Sequence, residues 1–141
     1  MKARRRSVEA GLPGPRGVAG QGKADSTSGA KPVLVLRVVL GRRASIGPGK
    51  VRLLEAVDRE KSISAAARSL GMSYRRAWLL VDAMNRTLRK PVVETAIGGR
   101  VGGGARLTPF GRKVIAAYRG LERRAREALR PDLTSMRHLI D

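Results

Sequence analysis

Residues 62–88 read SISAAARSLGMSYRRAWLLVDAMNRTL, and few folds accommodate that spacing. Ser62 is a good helix cap, set before Ile63, Ala66, Ala67 and Leu70, which fall at i, i+3, i+4 and i+7 of a short apolar stripe. Gly71 supplies the left-handed backbone that a sharp turn needs. Ser73 then caps a longer helical run that reaches about Leu88. The alanines of the first run are small enough to let two helices approach closely. The pattern predicts a helix-turn-helix, a unit that presents its second helix to a groove of DNA.

The flanking sequence completes a small domain. Residues 33–40 (VLVLRVVL) are rich in β-branched side chains and predict a strand. Gly41, Gly47, Pro48 and Gly49 break the chain before a helix over residues 50–60, where Val51, Leu54 and Val57 recur at helical spacing and Leu53 and Ala56 widen the buried stripe. Beyond Pro91, residues 92–97 are extended, residues 98–104 turn and residues 105–107 return, which predicts a β-hairpin. Thr108-Pro109 opens a long helix, because proline is well accepted at the first helical position. Phe110, Val114, Ala117, Tyr118, Leu121, Ala125 and Leu129 continue its apolar stripe, and Pro131 is expected to stop it. Residues 1–31 are poor in bulky apolar side chains and rich in Gly, Ser, Pro and Arg, so they predict a disordered tail; residues 131–141 predict a flexible one. The fold class is mainly α with a small β-hairpin: a winged helix-turn-helix over residues 32–130 that ends in a long helix.

Charge narrows the partners. The 141 residues carry 30 Lys plus Arg against 11 Asp plus Glu, a formal net charge of +19. A chain that basic is suited to a polyanion, since each neutralised phosphate releases condensed counterions. The absence of cysteine excludes disulfides, thiolate catalysis and cysteine-ligated zinc. The longest apolar run, residues 33–40, is interrupted by Arg37 and is far shorter than the ~20 residues of a membrane span. Residues 1–6 (MKARRR) precede no apolar signal core. A cytoplasmic, nucleoid-associated protein without membrane contact is expected. The single histidine, His138, lies in the tail, and no cluster offers a nucleophile with its base or metal-ligand spacing. Neither enzyme activity nor a cofactor or metal is expected.

On a helical wheel of the second helix, Tyr74, Ala77, Val81, Met84 and Leu88 share the face that packs inward, with Trp78 on its edge as a packing residue rather than a base-stacking one. The opposite face carries Arg75, Arg76, Leu79, Ala83 and Arg86. Arginine bonds guanine O6 and N7 bidentately, and a leucine can lie against a thymine methyl. Ser73 and the unpaired amides of the helix start suit a phosphate oxygen. The glycine-rich stretch of residues 98–106 has neither the Lys-Ser/Thr pair of a P-loop nor a Gly-x-Gly-x-x-Gly register opening a helix. It reads instead as a wing, whose glycines allow close backbone approach and whose Arg100 and Arg106 meet phosphates or a minor groove.

Residues 47–85 (GPGKVRLLEAVDREKSISAAARSLGMSYRRAWLLVDAMN) and 92–118 (VVETAIGGRVGGGARLTPFGRKVIAAY) together resemble the DNA-binding domain of ModE-type molybdate-responsive transcriptional regulators, which are related to the helix-turn-helix of LysR-type regulators. The resemblance covers residues 33–129. It implies a winged helix that dimerises largely through its long terminal helices and binds palindromic operator DNA. It places Ser73, Tyr74, Arg75, Arg76 and Leu79 at the start of the DNA-reading helix, and Arg100, Gly102, Gly103 and Gly104 in the wing. Full-length members of the family also carry small β-barrel modules that bind molybdate or tungstate. With ten residues after Pro131, this sequence is expected to lack them, leaving any effector or effector-bearing partner unidentified.

The expected protein is therefore a homodimeric, sequence-specific DNA-binding regulator on an inverted-repeat operator in double-stranded DNA. Tyr118, Leu121, Ala125 and Leu129 of the long helix would make the dimer contact. An architectural, nucleoid-type protein with little sequence preference is the alternative that the charge also fits. Residues 1–31 carry seven basic side chains against two acidic ones, and read either as a DNA-binding arm or as a plain extension. If they are an arm, their removal weakens binding to all DNA sequences alike and lowers the slope of log K against log salt. An unchanged slope leaves them a plain extension.

Overall fold

A closely packed trihelical unit and a β-hairpin organise the chain. The computed structural model of the protein describes residues 31–96 and 104–140. In chain order the elements are β1 (Val38–Leu40), β2 (Ala44–Ile46), α1 (Pro48–Glu60), α2 (Ile63–Ser69), α3 (Tyr74–Thr87), β3 (Val93–Thr95), β4 (Ala105–Leu107), α4 (Pro109–Ala128), α5 (Arg130–Ser135) and a 3-10 turn, Met136–Leu139. β1 pairs antiparallel with β2, and β3 pairs antiparallel with β4 in the register Val93↔Leu107, Glu94↔Arg106, Thr95↔Ala105. This is a winged helix-turn-helix, mainly α with a small hairpin as its wing.

The helix starts follow the expected chemistry. Pro48 and Pro109 stand in the first turns of α1 and α4. Ser62, Ser73 and Thr108 cap α2, α3 and α4, each side-chain oxygen accepting from a backbone amide three residues on. α1 ends on Lys61 in the left-handed conformation, and Gly71 takes φ 66° in the turn between α2 and α3. The core forms where α1 (Val51, Leu53, Leu54, Ala56, Val57), α2 (Ile63, Ala66, Ala67) and α3 (Ala77, Val81, Met84) meet, closed by Val92, Val93, Ala105 and Leu107 of the wing base. The apolar stripe expected for α1 is buried residue for residue.

Three expectations need correction. The strand expected over residues 33–40 is confined to Val38–Leu40, and its partner β2 was not foreseen. β2 is only three residues long, too short to show a period, and Arg42 and Arg43 before it read as loop. Pro131 does not stop helical structure but stands in the first turn of α5, so the segment expected as a flexible tail carries α5 and the 3-10 turn. Of the α4 stripe, Tyr118, expected at the dimer contact, is buried, and Phe110 and Val114 pack against the core, while Ala117, Leu121 and Leu129 are exposed. The expected tail over residues 1–31, apart from Lys31, lies outside the described residues. No helix among the described residues is long and apolar enough to cross a membrane.

The wing base, α3 and α4 converge on residues 91–93. The Thr108 amide donates to the Val92 carbonyl (2.9 Å), and its hydroxyl donates to the Pro91 carbonyl (2.7 Å) while accepting from the Gly111 amide (2.9 Å). Gly111 is buried in that knot, and a Cβ there would meet the Val92 carbonyl oxygen and lie 2.6 Å from Leu107 Cδ1. Because the clash is with backbone, relaxation is costly. Gly111→Ala is therefore expected to lower the unfolding free energy by about 1–3 kcal/mol, read as an earlier midpoint in urea. Wild-type stability in that variant would mean that α4 can shift away from the wing.

Candidate nucleic-acid interface

The helix-turn-helix presents the first turns of α3 without competing negative charge. Residues 61–81 contain no Asp or Glu, while Arg68, Arg75 and Arg76 are all exposed there. Among the described residues, none of these three arginines takes part in an ion pair. Ser73 Oγ accepts from the Arg76 amide (3.1 Å), which fixes the helix start. The cap residue is itself exposed, so its hydroxyl proton is open to a phosphate oxygen. The first amides of α3 have no intrahelical acceptor and carry the positive end of the helix dipole. Leu79 stands half-exposed (50 %) one turn after Arg75 and Arg76. Cations, amides and an apolar side chain thus share one accessible helix end.

The remaining expected contacts are placed less simply. Arg86, at the far end of α3, is held by Asp82 at 2.9 Å. Arg106 on β4 pairs with Glu94 across the hairpin at 3.1 Å. Both pairs are exposed, where an ion pair is worth less than about 1 kcal/mol and yields readily to a phosphate. Gly104 is half-buried at the wing base, its carbonyl accepting from the Ala96 amide (2.8 Å), so its place is in holding the hairpin rather than at a tip. Arg100, Gly102 and Gly103 lie outside the described residues. Among the described residues no group of three or more His, Asp or Glu is placed to hold a metal ion.

Two expectations about aromatic side chains are corrected. Tyr74, read as inward-facing, and Trp78, read as a packing residue on the edge of that face, are 57 % and 43 % exposed. Helical side chains lean toward the N-terminus, so a residue in the first turn overhangs the helix end instead of covering its neighbours. Trp78, one turn on, borders the space between α3 and the wing. Conversely Tyr118, expected at a dimer surface, is only 3 % exposed, and its hydroxyl donates to the Leu36 carbonyl at 2.8 Å. Burial raises its pKa, chiefly by penalising the phenolate and secondarily through the nearby Glu122 carboxylate. Of the four side chains expected to make the dimer contact, Leu121 and Leu129 are exposed and Ala125 half-buried.

Asn85 was not singled out from sequence, yet it joins the two halves of the interface. Its Oδ1 accepts from the Val92 amide (2.8 Å) and the Val93 amide (3.3 Å), and its Nδ2 donates to the Val93 carbonyl (3.0 Å). The side chain thus sets the wing strand against α3. In sequence an asparagine late in a helix, shortly before proline, is also an ordinary helix-end residue, so nothing marked this role.

Residues 49–112 match the family described as bacterial regulatory helix-turn-helix protein, lysR family. The chain is similar to the molybdenum-pterin-binding protein MopB of Rhodobacter capsulatus, 56 % identical over 86 residues, which is 60 % of this chain and 32 % of that protein. The molybdenum transport protein ModE of Azotobacter vinelandii is 46 % identical over 80 residues (57 % of this chain, 30 % of the relative). The DNA-binding transcriptional dual regulator ModE of Escherichia coli K12 is 35 % identical over 85 residues (60 % and 32 %). The chain spans less than a third of the length of each of these relatives.

Removing the Asn85 side chain strands two buried amides and a carbonyl at the wing base. Asn85→Ala is expected to lower stability by about 1–3 kcal/mol and to speed amide exchange at Val92 and Val93 ahead of that in α1. Exchange at those two amides no faster than in the parent would deny Asn85 the joining role.

Proposed function

We propose that this chain, whose residues 49–112 match the lysR family of bacterial regulatory helix-turn-helix proteins, is a sequence-specific DNA-binding transcriptional regulator of molybdenum-related genes. The observation that carries the reading is the capped start of α3, where exposed Arg75, Arg76 and Leu79 stand together with no acidic side chain nearby in sequence. That end of the helix enters a major groove, the two arginines read guanine edges, and Ser73 with the first amides of α3 takes a phosphate. Arg106 and the wing loop with Arg100, Gly102 and Gly103 approach the flanking backbone. The link to molybdenum rests on the names of the relatives, two of which speak of molybdenum binding and transport.

The chain acts as a homodimer and has no catalytic role. Support for the dimer lies in Leu121 of α4, Leu129 just after it, and Met136 and Leu139 of the 3-10 turn, each of which is exposed. Large apolar side chains gathered on one surface are characteristic of a contact between molecules. Two copies related by a dyad present two reading helices to successive major grooves about 34 Å apart, so the operator is an inverted repeat.

Selection of bound duplexes from a random-sequence pool tests both parts. An enriched inverted repeat is expected. On that repeat Arg75→Ala or Arg76→Ala costs about 1–3 kcal/mol and relaxes the base preference at one position in each half-site. Enrichment of no sequence, with random duplex competing as well as any other, would instead make this a coating protein of DNA.

A further inference from the structure

A polar cleft of about 610 Å³ opens between the helix pair and the wing. Its walls include Ser64 and Arg68 of α2, Tyr74 and Trp78 of α3, and Thr95 and Ala96 at the end of β3. Among the described residues, no acidic side chain lines it. We infer that this cleft seats one sugar–phosphate strand of the DNA, with Arg68 neutralising a phosphate and the Tyr74 and Trp78 rings packing on deoxyribose. The inference rests on the DNA-binding reading above and adds to it a strand path and two aromatic contacts.

Geometry supplies the first reason. In B-form DNA the major groove and the neighbouring minor groove are separated by a single backbone strand. A protein with a helix in one and a wing in the next must straddle that strand, and the space between its helix and its wing is where the strand passes. Here that space lies between α3 and β3–β4.

Chemistry supplies the second. The sugar–phosphate backbone alternates an anionic, hydrogen-bond-accepting group with a largely apolar ring. The cleft offers the complement of each. Arg68 is an exposed cation with no ion-pair partner among the described residues. Ser64, Thr95 and Tyr74 carry hydroxyl donors, and the Trp78 indole N–H is a donor only. The two rings supply apolar faces, and both remain largely uncovered in the free protein although the whole chain has only four aromatic residues. Leaving half of a small aromatic complement exposed beside a cation is the pattern of a surface that meets a ligand.

Trp78 is the chain's sole tryptophan, so its emission reports on this cleft alone. The unaltered protein is titrated with a duplex selected as above, following Trp emission, acrylamide quenching and gel mobility together. Emission is expected to change, and quenching to fall, with the same midpoint as the mobility shift. Trp78→Ala should weaken binding about tenfold, a loss of apolar contact, with the salt slope unaltered. Arg68→Ala should lower that slope by about one phosphate contact. Retention of the selected duplex with constant emission and quenching would overturn the cleft assignment and leave the regulator reading standing. Failure to retain any duplex would remove both.

Discussion

The placement of α3, the wing and α4 relative to one another hangs on how residues 91–93 are held. Val92 and Val93 are buried in the core, yet their backbone groups are polar and need partners. α3 supplies some through Asn85, and the start of α4 supplies others through the Thr108 amide and hydroxyl. One short segment is thereby fastened to the reading helix on one side and to the long helix on the other. A second tether, from the Ala105 amide to the Lys61 carbonyl (2.9 Å), anchors the returning strand to the end of α1. The wing is a three-residue ladder that would be marginal by itself. Fastened in this way, it becomes a fixed arm beside α3, and the cleft between them keeps a defined shape.

The same framework divides the charges. The few carboxylates are placed away from the start of α3. Glu55 and Glu122 hold Arg119 at 2.7 and 2.9 Å, joining α1 to α4, and Asp58 holds Arg112 at 3.0 Å on the same seam. Arg119 is stabilised as a cation by these contacts, foremost its hydrogen bond to Glu55. Glu122, buried, is satisfied by Arg119 and by Arg126 at 3.4 Å. Glu55, Asp58 and Glu122 are thus spent on helix-to-helix contacts, while Arg68, Arg75 and Arg76 have no ion-pair partner among the described residues. A strong net charge alone would attract any polyanion. Around the start of α3 that charge is not offset by any Asp or Glu within residues 61–81.

The local punctuation of this fold was legible in the sequence because each signal is short-range. Ser62, Gly71, Ser73 and Thr108-Pro109 act through amides within one turn, and all four behave as their chemistry dictates. The α1 stripe was legible because a long helix against a core has a period to count. What escaped depends on three-dimensional neighbours. β2 is set by pairing with β1, Asn85 by where the wing strand arrives, and the exposure of Tyr74 and Trp78 by where the core stops. A helical wheel assigns direction around an axis and says nothing about how far along that axis a neighbour extends. That is why Tyr74 is assigned inward by its wheel position although the core stops short of it, while Arg75, Arg76 and Arg86 are exposed as that wheel places them.

The long helix shows the same limit from the other side. Its stripe from Phe110 to Leu129 is continuous in sequence, but the domain covers only part of it. Tyr118 is claimed by the extended segment before β1, through the bond to the Leu36 carbonyl. Beyond it, Ala125 is half-buried, while Leu121 of α4 and Leu129 just after it are exposed. Apolar exposure of this extent opposes solubility and is relieved only by contact with another surface. In the proposed dimer, the part of the stripe that the core cannot reach becomes the contact between copies, and of the four side chains expected there Leu121 and Leu129 remain exposed while Tyr118 drops out. The length of α4 then has a mechanical consequence. In that dimer it would set the distance between two copies of α3, each fixed to α4 through residues 91–93, so operator spacing and domain stability would depend on the same knot of hydrogen bonds.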